Sequence, residues 1–183
     1  MERLDPKTTA VVVVDVQERL AAAMPRHQLD ELMRAARILI EAARLLGAPL
    51  IFTEQYPKGL GATLPELVEL LGAAGAARVE KLEFSACDAP SFAEKLSGAK
   101  SAVVVGMESH VCVFQTVRDL VARGLSVYVP IDGVSSRRDD HREAGIQLCE
   151  RAGATRTTTE SIVFDWLRRA GSDEFKQLSK LIR

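Results

Sequence analysis

Three side chains have the types and placement for acid–base and nucleophilic chemistry: the carboxylate of Asp15, the amine of Lys81 and the thiol of Cys112. Asp15 follows Val11-Val12-Val13-Val14 and precedes Val16-Gln17, so it falls at the C-terminal end of a strand, where open α/β sheets gather their chemistry. Taken alone, an aspartate there more often caps the next turn. Lys81 closes Val79-Glu80-Lys81 in a similar edge position, although a lone strand-end lysine is usually a solvated surface group. Cys112 follows an apolar run, Ser101 to Gly106, then a turn through Met107-Glu108 and a helix start at Ser109-His110-Val111. Its thiol is therefore expected in a first helical turn, where unpaired N–H groups and the helix dipole favour a thiolate and can hold an oxyanion. A free cysteine is otherwise a small buried hydrophobe. That reading suits Cys149, within Ile146-Gln147-Leu148-Cys149-Glu150, while Cys87, near Lys81, is the second candidate nucleophile.

The elements that must position these groups alternate strand-sized apolar runs with segments of helical period, the rhythm of an α/β fold. Strands are predicted over Ala10 to Asp15, Pro49 to Glu54, Ala77 to Lys81, Ser101 to Gly106, Ser126 to Pro130 and Ala154 to Thr158. Several are apolar on both faces, as in a parallel sheet covered by helices on each side. Leu29, Leu32, Met33, Ala36, Leu39, Ile40, Ala43 and Leu46 recur at three- and four-residue steps between Pro25 and Gly47, marking a long core-facing helix. Further helices are expected from Ser109 to Gly124, from Asp139 or Asp140 to Gly153, from Thr159 through Trp166, and over Glu174 to Ile182. The stretch Gln55 to Thr63 reads as an irregular loop and a candidate pocket wall. With strand order 3-2-1-4-5-6, the first and fourth strands are neighbours about 5 Å apart, so Asp15 and Cys112 face each other, and Lys81 reaches inward across roughly 10 Å.

Composition bounds the partners. The chain has 183 residues, 24 basic against 25 acidic side chains and a net charge of −1, which describes one compact domain over residues 1–183 without the basic footprint of nucleic-acid or membrane binding. No apolar segment approaches the length of a membrane span, and the acidic, proline-bearing start does not resemble a signal peptide, so a cytoplasmic address is expected. Three cysteines without paired spacing suggest neither a disulfide framework nor a zinc site. Val16-Gln17-Glu18-Arg19 is neither a glycine-rich dinucleotide turn nor a P-loop, and no second aspartate of the aspartyl-phosphatase kind follows Asp15.

Val14-Asp15-Val16-Gln17, Glu80-Lys81-Leu82-Glu83-Phe84-Ser85 and Gly106-Met107-Glu108-Ser109-His110-Val111-Cys112-Val113 together resemble the isochorismatase-like, or cysteine hydrolase, superfamily. Thr53-Glu54-Gln55-Tyr56-Pro57-Lys58-Gly59-Leu60-Gly61 and Asp132-Gly133-Val134-Ser135-Ser136-Arg137 are similar to its isochorismatase domain-containing branch. The resemblance implies a six-stranded, three-layer α/β/α fold and a catalytic triad of Asp15, Lys81 and Cys112, in which the thiolate forms a covalent acyl-enzyme. It also implies a cis Met107–Glu108 peptide, with the backbone N–H groups of Glu108 and Cys112 as an oxyanion hole. Gln17, Glu54, Gln55, Tyr56, Phe84 and His110 are candidate substrate-binding residues. Nicotinamidases of the superfamily hold a metal with histidines after the second strand. Thr53-Glu54-Gln55-Tyr56 has none, and His27, His110 and His141 are scattered singly, so neither metal nor other cofactor is expected. True isochorismatases lack the cysteine nucleophile, so Cys112 points to hydrolysis of a small amide or related carbonyl compound. The alternatives are ether or ester hydrolysis without covalent catalysis, and a pseudoenzyme that binds a metabolite or a protein. A small-molecule substrate and a homo-oligomer complete the expectation.

Overall fold

The computed structural model describes residues 3–183. In chain order its elements are β1 (Thr9–Val14), α1 (Glu18–Ala21), α2 (Arg26–Leu46), β2 (Leu50–Gln55), α3 (Pro57–Leu60), α4 (Pro65–Ala73), β3 (Ala77–Lys81) and α5 (Phe92–Lys95). There follow β4 (Ser101–Met107), α6 (Phe114–Ala122), β5 (Ser126–Pro130), β6 (Val134–Ser135), α7 (Asp139–Arg151), β7 (Thr155–Thr157), α8 (Thr159–Leu167) and α9 (Asp173–Ile182). The strands pair in parallel in the order β3-β2-β1-β4-β5-β7, which is the expected path. The sheet has seven strands because β6 rejoins it, setting Val134 and Ser135 beside Gly106 and Met107 of β4. Two residues are too few to show a period, so this strand left no sequence signal.

Strand alternation sorts the valines of β1 into two cores. Val11 and Val13 face Leu32 and Leu39 of α2, with Trp166 of α8 and Leu178 of α9 on the same side. Val12 and Val14 face the opposite layer, built from Phe92, Val113, Val117, Leu120 and Ile146. All six residues of β1 are buried, which accounts for an uninterrupted apolar run where a half-solvated strand would alternate. Fully burying each valine or leucine contributes about 1.5–3 kcal/mol. Cys149 packs in the second core, as expected of it.

Three departures from expectation lie near the sheet's C-terminal edge. The stretch after β2 is not irregular: Pro57–Leu60 forms one helical turn, Thr63 bridges antiparallel to Gln17, and α4 follows. The Met107–Glu108 peptide is trans, like every peptide among the described residues, and Glu108 instead turns the chain with a left-handed backbone (φ 58°). The helix expected from Ser109 opens as a π-helical turn, Ser109–Val113, and α6 begins only at Phe114. Such wide turns recur at functional sites.

Two glycines set how closely this region packs. A Cβ on Gly106 would lie 2.1 Å from the Val14 carbonyl oxygen, so β4 approaches the end of β1 only because residue 106 has no side chain. A Cβ on Gly145 would lie 2.5 Å from the Ser109 carbonyl carbon and 2.6 Å from the His110 nitrogen, so α7 seats directly on the turn that carries Cys112.

Candidate active site

Alternation along β2 and β3 decides which side chains reach this edge on one face. Gln55 pairs in register with Lys81, and Thr53 with Val79, so Thr53, Gln55 and Lys81 share the face of the α6 layer. Asp15 is out of phase: continued alternation would turn it toward α2. Its left-handed backbone (φ 51°) instead brings the carboxylate to the other three. A non-glycine residue in that region costs on the order of 1–3 kcal/mol, and such strain clusters at functional sites.

Both oxygens of Asp15 are held. Thr53 Oγ1 donates to Oδ1 at 2.6 Å, and Lys81 Nζ donates to Oδ2 at 2.6 Å, with both side chains of the ion pair wholly buried. Lys81 Nζ also donates to the carbonyls of Glu83 (3.2 Å) and Phe84 (3.1 Å), which uses all three of its protons. Thr53 was not anticipated. Its signal was present, because it stands two residues before Gln55 on a strand of period two.

Cys112 is buried, and its Sγ donates to Gln55 Oε1 at 3.2 Å. Burial above all, and then the Asp15 carboxylate, push the thiol above its ordinary range, against the opposing pull of Lys81. The resting group is thus a neutral thiol, not the thiolate that a helix N-terminus alone would favour. Cys87, also buried, donates to the Thr116 carbonyl at 3.9 Å, and burial raises it to about 11.

The remaining candidates separate by role. Gln17 Nε2 donates to the carbonyls of Gln55 (3.0 Å) and Gly61 (2.7 Å), while its Oε1 accepts from Gln55 N–H (2.8 Å), so it clamps the chain around the site. Glu54 lies out of phase with its neighbours. It accepts from Thr63 N and Oγ1, both at 2.7 Å, and from Arg78 Nε at 2.9 Å. Burial opposes its ionisation, but these hydrogen bonds outweigh that and hold it below the usual carboxylate range. Tyr56 and Phe84 are about half exposed (52% and 53%) and flank Lys81, whose carbonyl accepts from Tyr56 N–H at 2.8 Å. His110 packs against His141 at 4.6 Å between ring centroids and contacts Ser136 Oγ through Nδ1 (3.1 Å). Burial lowers its pKa, with Glu108 pulling the other way. The Glu108 side chain pairs with Arg137 at 3.1 Å. A separate groove of about 1110 Å³, bounded by α2, α4 and α9, belongs to the opposite layer and takes no part in this cluster.

A parallel α/β/α sheet gathers a buried acid, amine and thiol at its C-terminal edge, where α/β proteins place their chemistry. The isochorismatase domain family model matches residues 9–161, and the chain belongs to that family of hydrolases. It is 33% identical over 184 aligned positions to isochorismatase domain-containing protein 2A of Mus musculus, covering 99% of this chain and 85% of that one. It is 35% identical to isochorismatase domain-containing protein 1 of Salmo salar, covering 98% of this chain but only 62% of that protein. Among solved structures, the MAR1 ribonuclease from Caenorhabditis elegans superposes with a TM-score of 0.92 at 40% identity, covering 99% of this chain and 92% of that one.

Proposed function

We propose that the protein is a metal-independent cysteine hydrolase that opens the C–N bond of a small amide or related carbonyl compound. The observation that carries this reading is the wholly buried Lys81–Asp15 pair at 2.6 Å beside the Cys112 thiol. A carboxylate held at both oxygens is pre-oriented as a proton acceptor, and it keeps free lone pairs for the thiol proton.

As Sγ bonds to the carbonyl carbon, the thiol proton passes to Asp15 and the backbone N–H of Cys112 takes the developing oxyanion. Collapse of this intermediate breaks the C–N bond, and Asp15 returns the proton to the departing nitrogen. Water then attacks the thioester, Asp15 accepts its proton, and Cys112 leaves as a thiol. Lys81 works as the electrostatic partner that pairs with Asp15 and holds it in place. A neutral resting thiol suits this sequence, because proton transfer then accompanies attack and a buried thiolate never stands unpaired.

In the same reading residues 1–183 form one domain, and the protein is cytoplasmic and homo-oligomeric. Among the described residues no helix is long and apolar enough to cross a membrane. The half-exposed Tyr56 and Phe84 and the exposed Leu82 offer an apolar surface for a neighbouring subunit at the rim of the site.

The test is turnover of a panel of small amides, with simple esters and RNA alongside, by the wild type, Cys112→Ala and Asp15→Asn, with intact-protein mass spectrometry. The reading expects amide hydrolysis lost in both variants and an acyl adduct on Cys112; full activity of Cys112→Ala overturns it. The raised thiol also favours a second reading, ether or ester hydrolysis by Asp15 and Lys81 without a covalent intermediate. That reading expects Cys112→Ser to stay active while Asp15→Asn fails. RNA cleavage without amide turnover would move the substrate to the class named for the Caenorhabditis elegans relative. Binding without turnover of any class would mark a pseudoenzyme.

A further inference from the structure

Besides the Asp15 carboxylate beside it, the Cys112 thiol faces a carboxamide oxygen. Sγ donates to Gln55 Oε1 at 3.2 Å. The orientation of that amide is fixed by its other end, since Nε2 donates to the Leu82 carbonyl at 3.3 Å and a carbonyl cannot bond to Oε1. The backbone beneath is equally fixed: Gln17 accepts from Gln55 N–H at 2.8 Å and donates to Gln55 C=O at 3.0 Å. Gln55 is only 8% exposed. A rigid, buried acceptor therefore stands within hydrogen-bond distance of the sulfur, and among the described residues the thiol is its donor.

That donor disappears during the reaction. Once the proton moves to Asp15 and sulfur bonds to carbon, Oε1 has lost its partner, and a buried acceptor left alone is costly. The atom attached to the attacked carbon lies one bond beyond it, within reach of an acceptor 3.2 Å from sulfur. An amide or ureido nitrogen carrying hydrogen restores the hydrogen bond. An ester oxygen or a fully substituted nitrogen offers only repulsion. We infer that Gln55 Oε1 reads the substrate's N–H and confines the site to primary and secondary amides and ureides. This rests on the acyl-enzyme reading above and narrows it.

The experiment compares acylation of Cys112 by 4-nitroacetanilide and by 4-nitrophenyl acetate in the wild type, Gln55→Leu and Gln55→Glu, followed by intact-protein and peptide mass spectrometry. In each case the C–S bond forms at the acyl carbon, the C–N or C–O bond breaks, and the thiol proton passes through Asp15 to the departing nitroaniline or nitrophenol, so the reagents differ chiefly in whether the attacked carbon bears an N–H. In Gln55→Leu the amide-to-ester rate ratio is expected to fall roughly 5- to 100-fold. Gln55→Glu keeps an acceptor oxygen and is expected to slow both reagents while holding the ratio near wild type. A merely structural role slows both reagents equally in Gln55→Leu and leaves the ratio unchanged, and that result overturns the inference. Failure of the wider reading looks different: acylation of the wild type then falls on Cys87 or Cys149 and leaves Cys112 unmodified.

Discussion

Replacing Thr53 by valine separates the support of Asp15 from its chemistry. Valine keeps the β-branched shape that suits β2, so the change deletes one hydroxyl and little else. That hydroxyl donates to Asp15 Oδ1 at 2.6 Å in a site with no solvent access, and it accepts from Asp15 N–H at 3.2 Å. The amide retains the Thr53 carbonyl as a partner at 3.2 Å, so only the carboxylate is left short. A hydrogen bond to a charged group is worth about 1.5–3 kcal/mol. In a chain of 183 residues that lowers the melting temperature by roughly 3–12 °C. Asp15 still has Lys81 but can rotate about that single contact. On the acyl-enzyme reading, kcat on an amide substrate falls by about 10- to 100-fold while KM changes little. Thermal unfolding and steady-state kinetics of Thr53→Val and Thr53→Ser give the answer, with serine restoring both quantities at least in part. If valine is as stable and as active as wild type, or serine fares no better than valine, the Thr53 contact does not hold the carboxylate and the reasoning is refuted.

Gly106→Ala combines a backbone at φ 145° with a Cβ 2.1 Å from the Val14 carbonyl oxygen, so a loss of roughly 2–6 kcal/mol is expected in urea denaturation, with activity falling as β4 moves away from Asp15. Glu54→Gln removes the charge that holds Thr63 and Arg78, and trypsin is expected to cut faster after Lys58 in the loosened segment. Because folding lowers the Glu54 pKa, its contribution is present above the ordinary value of 4.5 and disappears as pH falls through the folded value; the acid limb of the stability profile is therefore shallower in Glu54→Gln. Burial, with Glu150 beside it, raises Cys149 from 9.0 to about 12, so its contribution is complete below pH 9 and is lost as pH climbs toward 12. Cys149→Ala should remove about 1.4 kcal/mol per pH unit from the alkaline slope, and an unchanged slope in denaturant titrations would contradict that assignment.

The order of the six main strands was legible because β1 and β4 are apolar without interruption and the helices between them carry period and stops. β6 left no trace, and α4 and α5 lie in stretches where the residues did not declare a helix. At the site, Asp15, Lys81 and Cys112 were legible as chemical types at strand ends and at the helix start after β4. How they meet was less so. Strand phase would have turned Asp15 toward α2, and nothing in Val14-Asp15-Val16 announces the left-handed backbone that reverses it. Phase does tell Thr53 and Gln55 apart from Glu54, so the hydroxyl under Asp15 and the outward, loop-holding use of Glu54 follow from alternation carried one residue further. The state of the thiol required the third dimension, because burial is set by α7 closing over the turn through Gly145, far from Cys112 in sequence.

Lys81 ends β3, and β3 is the outermost strand on its side of the sheet. Edge elements are the first to fray in native proteins. When β3 peels away, the amine leaves a carboxylate stranded in a dry interior, so the ion pair ties the last strand to dock to the group that needs it most. Hydrogen exchange of the β3 amides and loss of activity should therefore rise together under mild denaturant, ahead of global unfolding.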